Sequence, residues 1–452
     1  MATITVDRFD DVTADDGQTT LREAVALAND GDRIEFARSG RIELAQGELV
    51  IAQSLSVDGD LDDDGARDIV LDAGGTGRVA RIQQGQVVLE GLTITGAHTS
   101  SGSGSEGALT IEAAGHGILR NVHIRDNYAS GVGVERGRLD LVNSIISDNF
   151  SIVGAGGVGG VGVFRIVDSV ISNNTAEFIG GGLDLRGSVE IVDSVISDNR
   201  ALNEYGGGMR LFASARYGAN GVTVVNSTIS GNSAPSGGGI FAIAREHEIV
   251  VANTVISGNT ASDAGGFVAG RPTGLGGGVY VRGGEVKLVN ATVAGNQARE
   301  GGGAFVLGDF MFGRRLVPGG ELTLVNSTLT GNAATDAGGG LAVEGVATIA
   351  NTLIAGNEAA GGAQSAVEVK VSDLGTPGVV SFEGVNVFSE AGVGRASFDI
   401  VETDLARIFA GVGADPNTGV MGGLLADNGG AVETVALAAD GVAENAGSDA
   451  DL

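Results

Sequence analysis

A seven-residue pattern that opens and closes on an amide or carboxylate residue recurs through the middle of the chain. It reads Asn143-Ser-Ile-Ile-Ser-Asp-Asn149, Asp168-Ser-Val-Ile-Ser-Asn-Asn174 and Asp193-Ser-Val-Ile-Ser-Asp-Asn199. It continues as Asn226-Ser-Thr-Ile-Ser-Gly-Asn232, Asn253-Thr-Val-Ile-Ser-Gly-Asn259 and Asn290-Ala-Thr-Val-Ala-Gly-Asn296. Asn326-Ser-Thr-Leu-Thr-Gly-Asn332 and Asn351-Thr-Leu-Ile-Ala-Gly-Asn357 close the series, and Asn121-Val-His-Ile-Arg-Asp-Asn127 is a weaker copy. Starts lie 22 to 37 residues apart, a spacing of solenoid repeats. A second motif interleaves with the first: three glycines before a short apolar strand, at Gly180, Gly206, Gly237, Gly276, Gly301 and Gly338.

The segments between these punctuation marks are short and rich in Val, Ile, Leu and Thr, as in Glu321-Leu-Thr-Leu-Val325, which is strand behaviour. The minimum repeat is too short for a four-stranded propeller blade. It suits three short strands per coil of a parallel β-helix, with coils stacked about 4.8 Å apart. Asn tolerates the left-handed conformation at a bend, and stacked Asn side chains satisfy one another in ladders. The Gly triplet permits a tight corner. A β-sandwich with unrelated Gly and Asn turns would not keep the two motifs in the same order through six units. The expected fold is therefore all-β, a single right-handed parallel β-helix with a short N-terminal helical cap.

A solenoid has to close its ends. Thr20-Leu-Arg-Glu23 is a capping box that opens an amphipathic stretch of Leu21, Ala24, Val25 and Ala28, ending near Asn29-Asp-Gly31. The repeat fades after Asn357, with a degenerate copy at Gly384-Val-Asn-Val-Phe388. The expected organisation is a cap over 1–40, a solenoid over 41–395 and an irregular, anchor-like tail, whole or truncated, over 396–452.

Composition narrows the function classes. Among 452 residues there are 79 Gly but 5 Pro, with no G-X-Y period, so the chain is not collagen. A net charge of −29, from 56 acids and 27 bases, disfavours a nucleic-acid partner. Cys is absent, which excludes disulfides and thiolate zinc sites. Trp is absent too, which weighs against a cleft that stacks sugars on aromatic faces. No transmembrane segment is expected, because no apolar run approaches about 18 residues. Met1-Ala-Thr-Ile-Thr-Val-Asp7 has neither a basic n-region nor an apolar h-region, so it is not a signal peptide.

Thr19-Thr-Leu-Arg-Glu-Ala24 with Asn29-Asp-Gly-Asp-Arg-Ile-Glu-Phe36 resembles the CSLREA region of bacterial exported proteins, Thr19 and Thr20 standing where that name has Cys and Ser. Leu424-Leu-Ala-Asp-Asn-Gly-Gly430 with Glu433-Thr-Val-Ala-Leu437 is similar to choice-of-anchor tails, although that family's continuation after Ala446-Gly447 is missing. The central units resemble polymorphic outer-membrane protein repeats. The resemblance implies a right-handed β-helix at the bacterial surface or secreted, exported without an N-terminal signal peptide, or else a fragment of a longer chain.

Asp60-Leu-Asp62-Asp-Asp64-Gly65-Ala-Arg-Asp68 is the sharpest local motif. Carboxylates at alternate positions of a tight loop converge, and an all-oxygen set suits Ca²⁺. Asp60, Asp62, Asp64 and Asp68 are the expected ligands. The bidentate Glu of an EF-hand is missing, Leu71 standing in its place, and Asp58 or Asp72 could substitute. Gly115-His-Gly117 resembles the Gly-His-Gly of polygalacturonases, but their paired-Asp and Arg-Ile-Lys segments are absent, as is the Tyr-Gly-Phe-Asp-Pro-His motif of alginate epimerases. His116, His123 and Asp126 lack the spacing of a metal pair, and His98 and His247 have no nameable partner.

If the first residue after each Gly triplet points inward, the second and fourth point outward. That column reads Asp184, Arg186, Arg210, Phe212, Phe241, Ile243, Tyr280, Arg282, Phe305 and Leu307. Either it is a docking groove, with Asp184, Arg186, Arg210, Tyr280 and Arg282 as ligand-binding residues, or the insertion Gly308–Gly320 covers it. These features favour a non-enzymatic, exported, calcium-binding adhesin-like module that binds a polysaccharide or cell-surface protein. The alternatives are a polysaccharide lyase or epimerase, and a structural stalk.

Overall fold

The computed structural model describes residues 2–99, 106–218, 220–262, 267–268, 271–360, 363–372, 374–389 and 399–443. The boundary expected near Ala396 and the Ala446-Gly447 step lie outside them. The chain forms two compact units, Met1–Val195 and Ile196–Leu452. Both are built from coils of a right-handed parallel β-helix.

In the second unit the seven-residue pattern explains the coil. Its third to fifth residues form one strand per turn: Thr228–Ser230, Val255–Ser257, Thr292–Ala294, Thr328–Thr330 and Leu353–Ala355. They pair in parallel and in register, so Ile229, Ile256, Val293, Leu329 and Ile354 form one fully buried column. The two Asn positions do different work. The first takes a left-handed backbone, with φ between 49° and 51° at Asn226, Asn253, Asn290 and Asn326, where a β-branched residue would be strained. Its more exposed side chains also touch, Asn253 donating to Asn226 at 3.3 Å and Asn290 to Asn253 at 3.2 Å, whereas the second is buried and makes the inner ladder. Nδ2 of Asn232 donates to Oδ1 of Asn259 at 3.0 Å, Asn259 to Asn296 at 3.0 Å, and Asn296 to Asn332 at 2.9 Å. The remaining Nδ2 proton goes to a neighbouring coil's carbonyl, as from Asn259 to Ile229 at 2.9 Å. The same Oδ1 also accepts the backbone N–H of the preceding Asn, so both polar atoms of a fully buried amide are satisfied.

The second residue of the pattern builds a further ladder. The Ser227 hydroxyl donates to Val225 O at 2.8 Å, and its backbone N–H donates to the Thr254 hydroxyl at 3.3 Å. Ser327 and Thr352 repeat this contact.

The sixth residue is left-handed as well, and here Gly has a second reason. The C-terminal segment crosses this corner: Thr418 donates to Gly331 O at 2.8 Å, and Gly423 N–H donates to the Thr330 hydroxyl at 2.9 Å. A Cβ on Gly295 would stand 2.3 Å from an Asp415 carboxylate oxygen. The segment's Ile408 and Phe409 join Leu353, Ala355 and Val387 in a small core.

The first unit uses the same devices. Asn127 donates to Asn149 at 2.8 Å and Asn149 to Asn174 at 2.9 Å. Its α-helix, Leu21–Leu27, begins as expected: the Thr20 hydroxyl accepts from Glu23 N–H, and the Glu23 carboxylate accepts from Thr20 N–H at 2.9 Å. Leu21, Ala24 and Val25 are buried, placing the helix on the strands Thr3–Val6 and Leu49–Ile51. No helix among the described residues is long and apolar enough to cross a membrane.

Candidate functional site

In the second unit, strands Met209–Ala213, Ile240–Ala244 and Val279–Val289 lie side by side in parallel, Arg210 opposite Phe241 and Phe241 opposite Tyr280. Inward residues such as Met209, Leu211 and Val281 are fully buried, as the alternation requires. Outward residues differ in exposure along the column: Arg210, in register with Phe241, stays partly open, and Leu307 is buried. Phe241, Tyr280 and Phe305, next to the Gly corner, are at most 2% exposed and stack edge-to-face at 5.2 and 5.6 Å. The corner folds over them: a Cβ on Gly276 would stand 2.8 Å from that of Tyr280. Tyr205, the residue before a triplet, stacks on Phe241 at 4.3 Å. The residues farther along, Phe212, Ile243 and Arg282, remain partly open.

Over these open positions stands the insertion after Ala304–Val306. It forms an antiparallel hairpin, Phe310–Phe312 with Arg315–Val317. Phe310 is buried, while Met311 and Leu316 face solvent, 48% and 51% exposed. The Phe312 side chain lies outside the described atoms. Between hairpin and sheet opens a cleft of about 860 Å³, floored by Phe212 and Ile243 and lined by Arg210, Arg245, Arg282 and Arg315. Four guanidinium groups on one cleft stand out in a chain of net charge −29.

Aromatic faces, not carboxylates, hold two of these cations. Arg282 lies 5.6 Å from the Tyr205 ring centre, 6.0 Å from Phe241 and 5.5 Å from Phe310. Arg245 lies 5.5 Å from that of Phe212. Neither these two nor Arg315 forms an ion pair among the described residues. Three acids share the lining. Asp309 accepts Gly319 N–H at 2.7 Å. Glu246 accepts Ala215 N–H at 3.2 Å, and the Ser214 hydroxyl, that N–H and Arg245 hold its carboxyl below the usual range. Glu321 has no hydrogen-bond or ion-pair partner among the described residues and is exposed.

Of the residues expected to bind a ligand, Arg210 and Arg282 line this cleft. Tyr280 does not; it is sealed beneath the corner at 2% exposure. Asp184 and Arg186 belong to the first unit, where Asp184 is buried and its carboxylate accepts from Arg186 at 2.8 Å. Sequence reasoning missed Arg245, Arg315 and Glu321. Arg245 follows directly on an apolar strand, and Arg314-Arg315 is a basic pair in an acidic chain; both signals were legible.

In the first unit, carboxylate oxygens of Asp60, Asp62 and Asp68 lie within 4.8 Å of one another. Asp64 uses Oδ1 to accept Ala66 N–H at 2.7 Å, and Asp60 closes the loop by accepting from Asp64 and Gly65. Repulsion from Asp64, then desolvation and Asp68, push the Asp62 carboxyl above its usual range. The histidines do not converge: His116 meets Asp140 at 2.9 Å, His123 meets Ser147 at 3.0 Å, and His98 stacks on Tyr128 at 4.6 Å.

Residues 80–311 match the family described as the right handed beta helix region. No curated protein matches the chain. Among solved structures, a mannuronic acid specific family 6 polysaccharide lyase from human gut microbiota is 12% identical, with a TM-score of 0.48 over 89% of this chain and 92% of that one. A PL6 family polysaccharide lyase from Pseudopedobacter saltans is 14% identical, with a TM-score of 0.40 over 85% and 96%. The expectation of a non-enzymatic, adhesin-like module is corrected here. The aromatic part of the column meant to serve as a docking face is buried.

Proposed function

The chain belongs to the right-handed β-helix family, and on that scaffold we propose a polysaccharide lyase that acts on a uronate-containing chain in the arginine-lined cleft. The observation that carries this reading is the set of four guanidinium groups over an apolar floor. Guanidinium forks match carboxylates bidentately, and low-dielectric walls strengthen each contact. The volume is that of a small-ligand cleft.

Cleavage by elimination requires removal of the proton on the carbon next to the uronate carboxylate. Arginines that neutralise this carboxylate stabilise the charge spreading onto it as the proton leaves. The electron pair of the broken C–H bond forms the ring double bond, and the glycosidic oxygen departs with its electrons and takes up a proton. We assign the base to Glu321. Asp309 and Glu246 accept hydrogen bonds within the fold, whereas the Glu321 carboxylate is uncommitted. An epimerase would share the first step and return the proton to the opposite ring face.

The test is incubation with polygalacturonate, alginate and their carboxyl-reduced counterparts, read by ultraviolet absorbance of unsaturated ends. Absorbance that grows on an acidic polymer and not on its reduced form is expected. Exchange of the ring proton in heavy water without absorbance would assign the epimerase. Neither signal on any acidic polymer would contradict the reading.

A second proposal concerns the first unit, where the Asp60, Asp62 and Asp68 oxygens suit Ca²⁺. The raised Asp62 carboxyl sets the sign of the pH dependence. A group whose folded pKa lies above its unfolded value stabilises most below the unfolded value and loses that contribution as pH rises through the folded one. Calcium offsets this repulsion, so its effect is full at neutral pH and fades as the medium acidifies through the carboxylate range. At a hundredfold excess over Kd the stabilisation is about 2.7 kcal/mol. Thermal melts with calcium and with chelator, at neutral and acid pH, check it; coincident melts at neutral pH would remove the site.

A further inference from the structure

We infer that Arg282 is the residue by which the cleft selects a carboxylate over a neutral sugar, and that the aromatic box around it makes this possible. The inference rests on the lyase reading and names the part of the site that sets its specificity. An arginine half-buried in an acidic chain normally finds an acid, as Arg299 does with Glu300 at 2.7 Å and Arg186 with Asp184 at 2.8 Å. Arg282 has none among the described residues. Instead three ring faces, from Tyr205, Phe241 and Phe310, sit within 6.0 Å of its guanidinium carbon.

The physical consequence is specific. A carboxylate partner would consume the N–H fork that recognises a substrate carboxylate; a ring face attracts the cation through its quadrupole and leaves those N–H groups at the edge. The rings come from different parts of the chain: Tyr205 before a Gly corner, Phe241 from a sheet strand and Phe310 from the hairpin. Tyr205 and Phe241 are themselves fixed by stacking at 4.3 Å, so they fix the cation's seat before any ligand arrives. Phe310 places the hairpin in the same box, which makes it a positioning residue acting through Arg282.

The experiment is calorimetric titration with a galacturonate oligosaccharide, a mannuronate oligosaccharide and the carboxyl-reduced form of each. Wild-type protein is expected to prefer an acidic probe. Arg282→Gln should weaken that probe roughly ten- to hundredfold, the loss of one charge-assisted pair, and leave the reduced form unchanged. Arg282→Lys should recover only part of the loss, since an ammonium lacks the fork. Phe310→Leu should weaken the acidic probe and Phe310→Tyr restore it, a pattern that a purely structural role for the ring would not confine to acidic sugars. Unchanged acidic preference in Arg282→Gln, with wild-type binding intact, overturns this assignment alone. Wild-type protein that binds no acidic probe overturns the lyase reading and this assignment together.

Discussion

Glu321→Gln abolishes the formation of unsaturated ends, by about 10² to 10⁴-fold, while the acidic oligosaccharide still binds. The amide keeps the shape of the side chain and removes its ability to take a proton. Because the Glu321 side chain makes no ion pair or hydrogen bond among the described residues, the substitution leaves the rest of the fold intact. Stopped assays on polygalacturonate and alginate, with binding measured in parallel, check it. Loss of both binding and turnover would assign Glu321 to the binding of substrate, and unchanged turnover would move the base elsewhere. Asp309→Ala is the companion variant: its carboxylate already accepts Gly319 N–H at 2.7 Å, so removing that acceptor disturbs the hairpin before it disturbs the chemistry.

The largest effect on stability belongs to the buried amides. Asn259→Ala removes the acceptor for both the N–H and Nδ2 of Asn232, and the donor to Ile229 O at 2.9 Å. Each orphaned buried group costs about 1–3 kcal/mol, so a loss of roughly 3–9 kcal/mol follows. Asn253→Ala, in the same motif, acts differently. Asn253 is exposed, with φ of 49°, and Ala loses the ease of that backbone, a cost of about 1 kcal/mol, together with two solvent-exposed amide contacts, to Asn226 and from Asn290, whose groups water can satisfy. Denaturant unfolding of the two variants separates the roles. Equal losses would mean that the two Asn columns are interchangeable.

These two Asn columns also show what the sequence could convey. Positive φ favours Gly, Asn and Asp at a position, and in the Asn232 to Asn332 column each buried amide is satisfied by the like amide of the next coil. Both constraints are local or strictly periodic, so they print a repeat that is readable without coordinates. The division of labour between the first and second Asn did not show, because either residue satisfies either demand in composition. The capping box at Thr20 and Glu23 was legible for the same local reason.

The cleft was legible only in part. Arg210 and Arg282 followed from strand alternation, which identified outward positions correctly. Alternation states direction, not exposure, and the Gly corners close over Phe241, Tyr280 and Phe305 but not over Arg210. Tyr280 and Phe241, open in the sequence to either a docking face or a covered stripe, are a second layer of core sealed by the Gly corners. Arg245, Arg315 and Glu321 reach the cleft through the end of one strand, a hairpin and the strand after it. No periodic signal connects such positions. Only the fold of the insertion, with Phe310 turned down and Met311 turned out, brings them to one opening.

The most direct measurement is a crystal structure of the Glu321→Gln protein soaked with an acidic oligosaccharide. The account predicts a sugar lying between hairpin and sheet, with a carboxylate against the Arg282 guanidinium and a ring hydrogen facing position 321. An oligosaccharide bound away from these arginines, with the cleft open at saturating ligand, would contradict it.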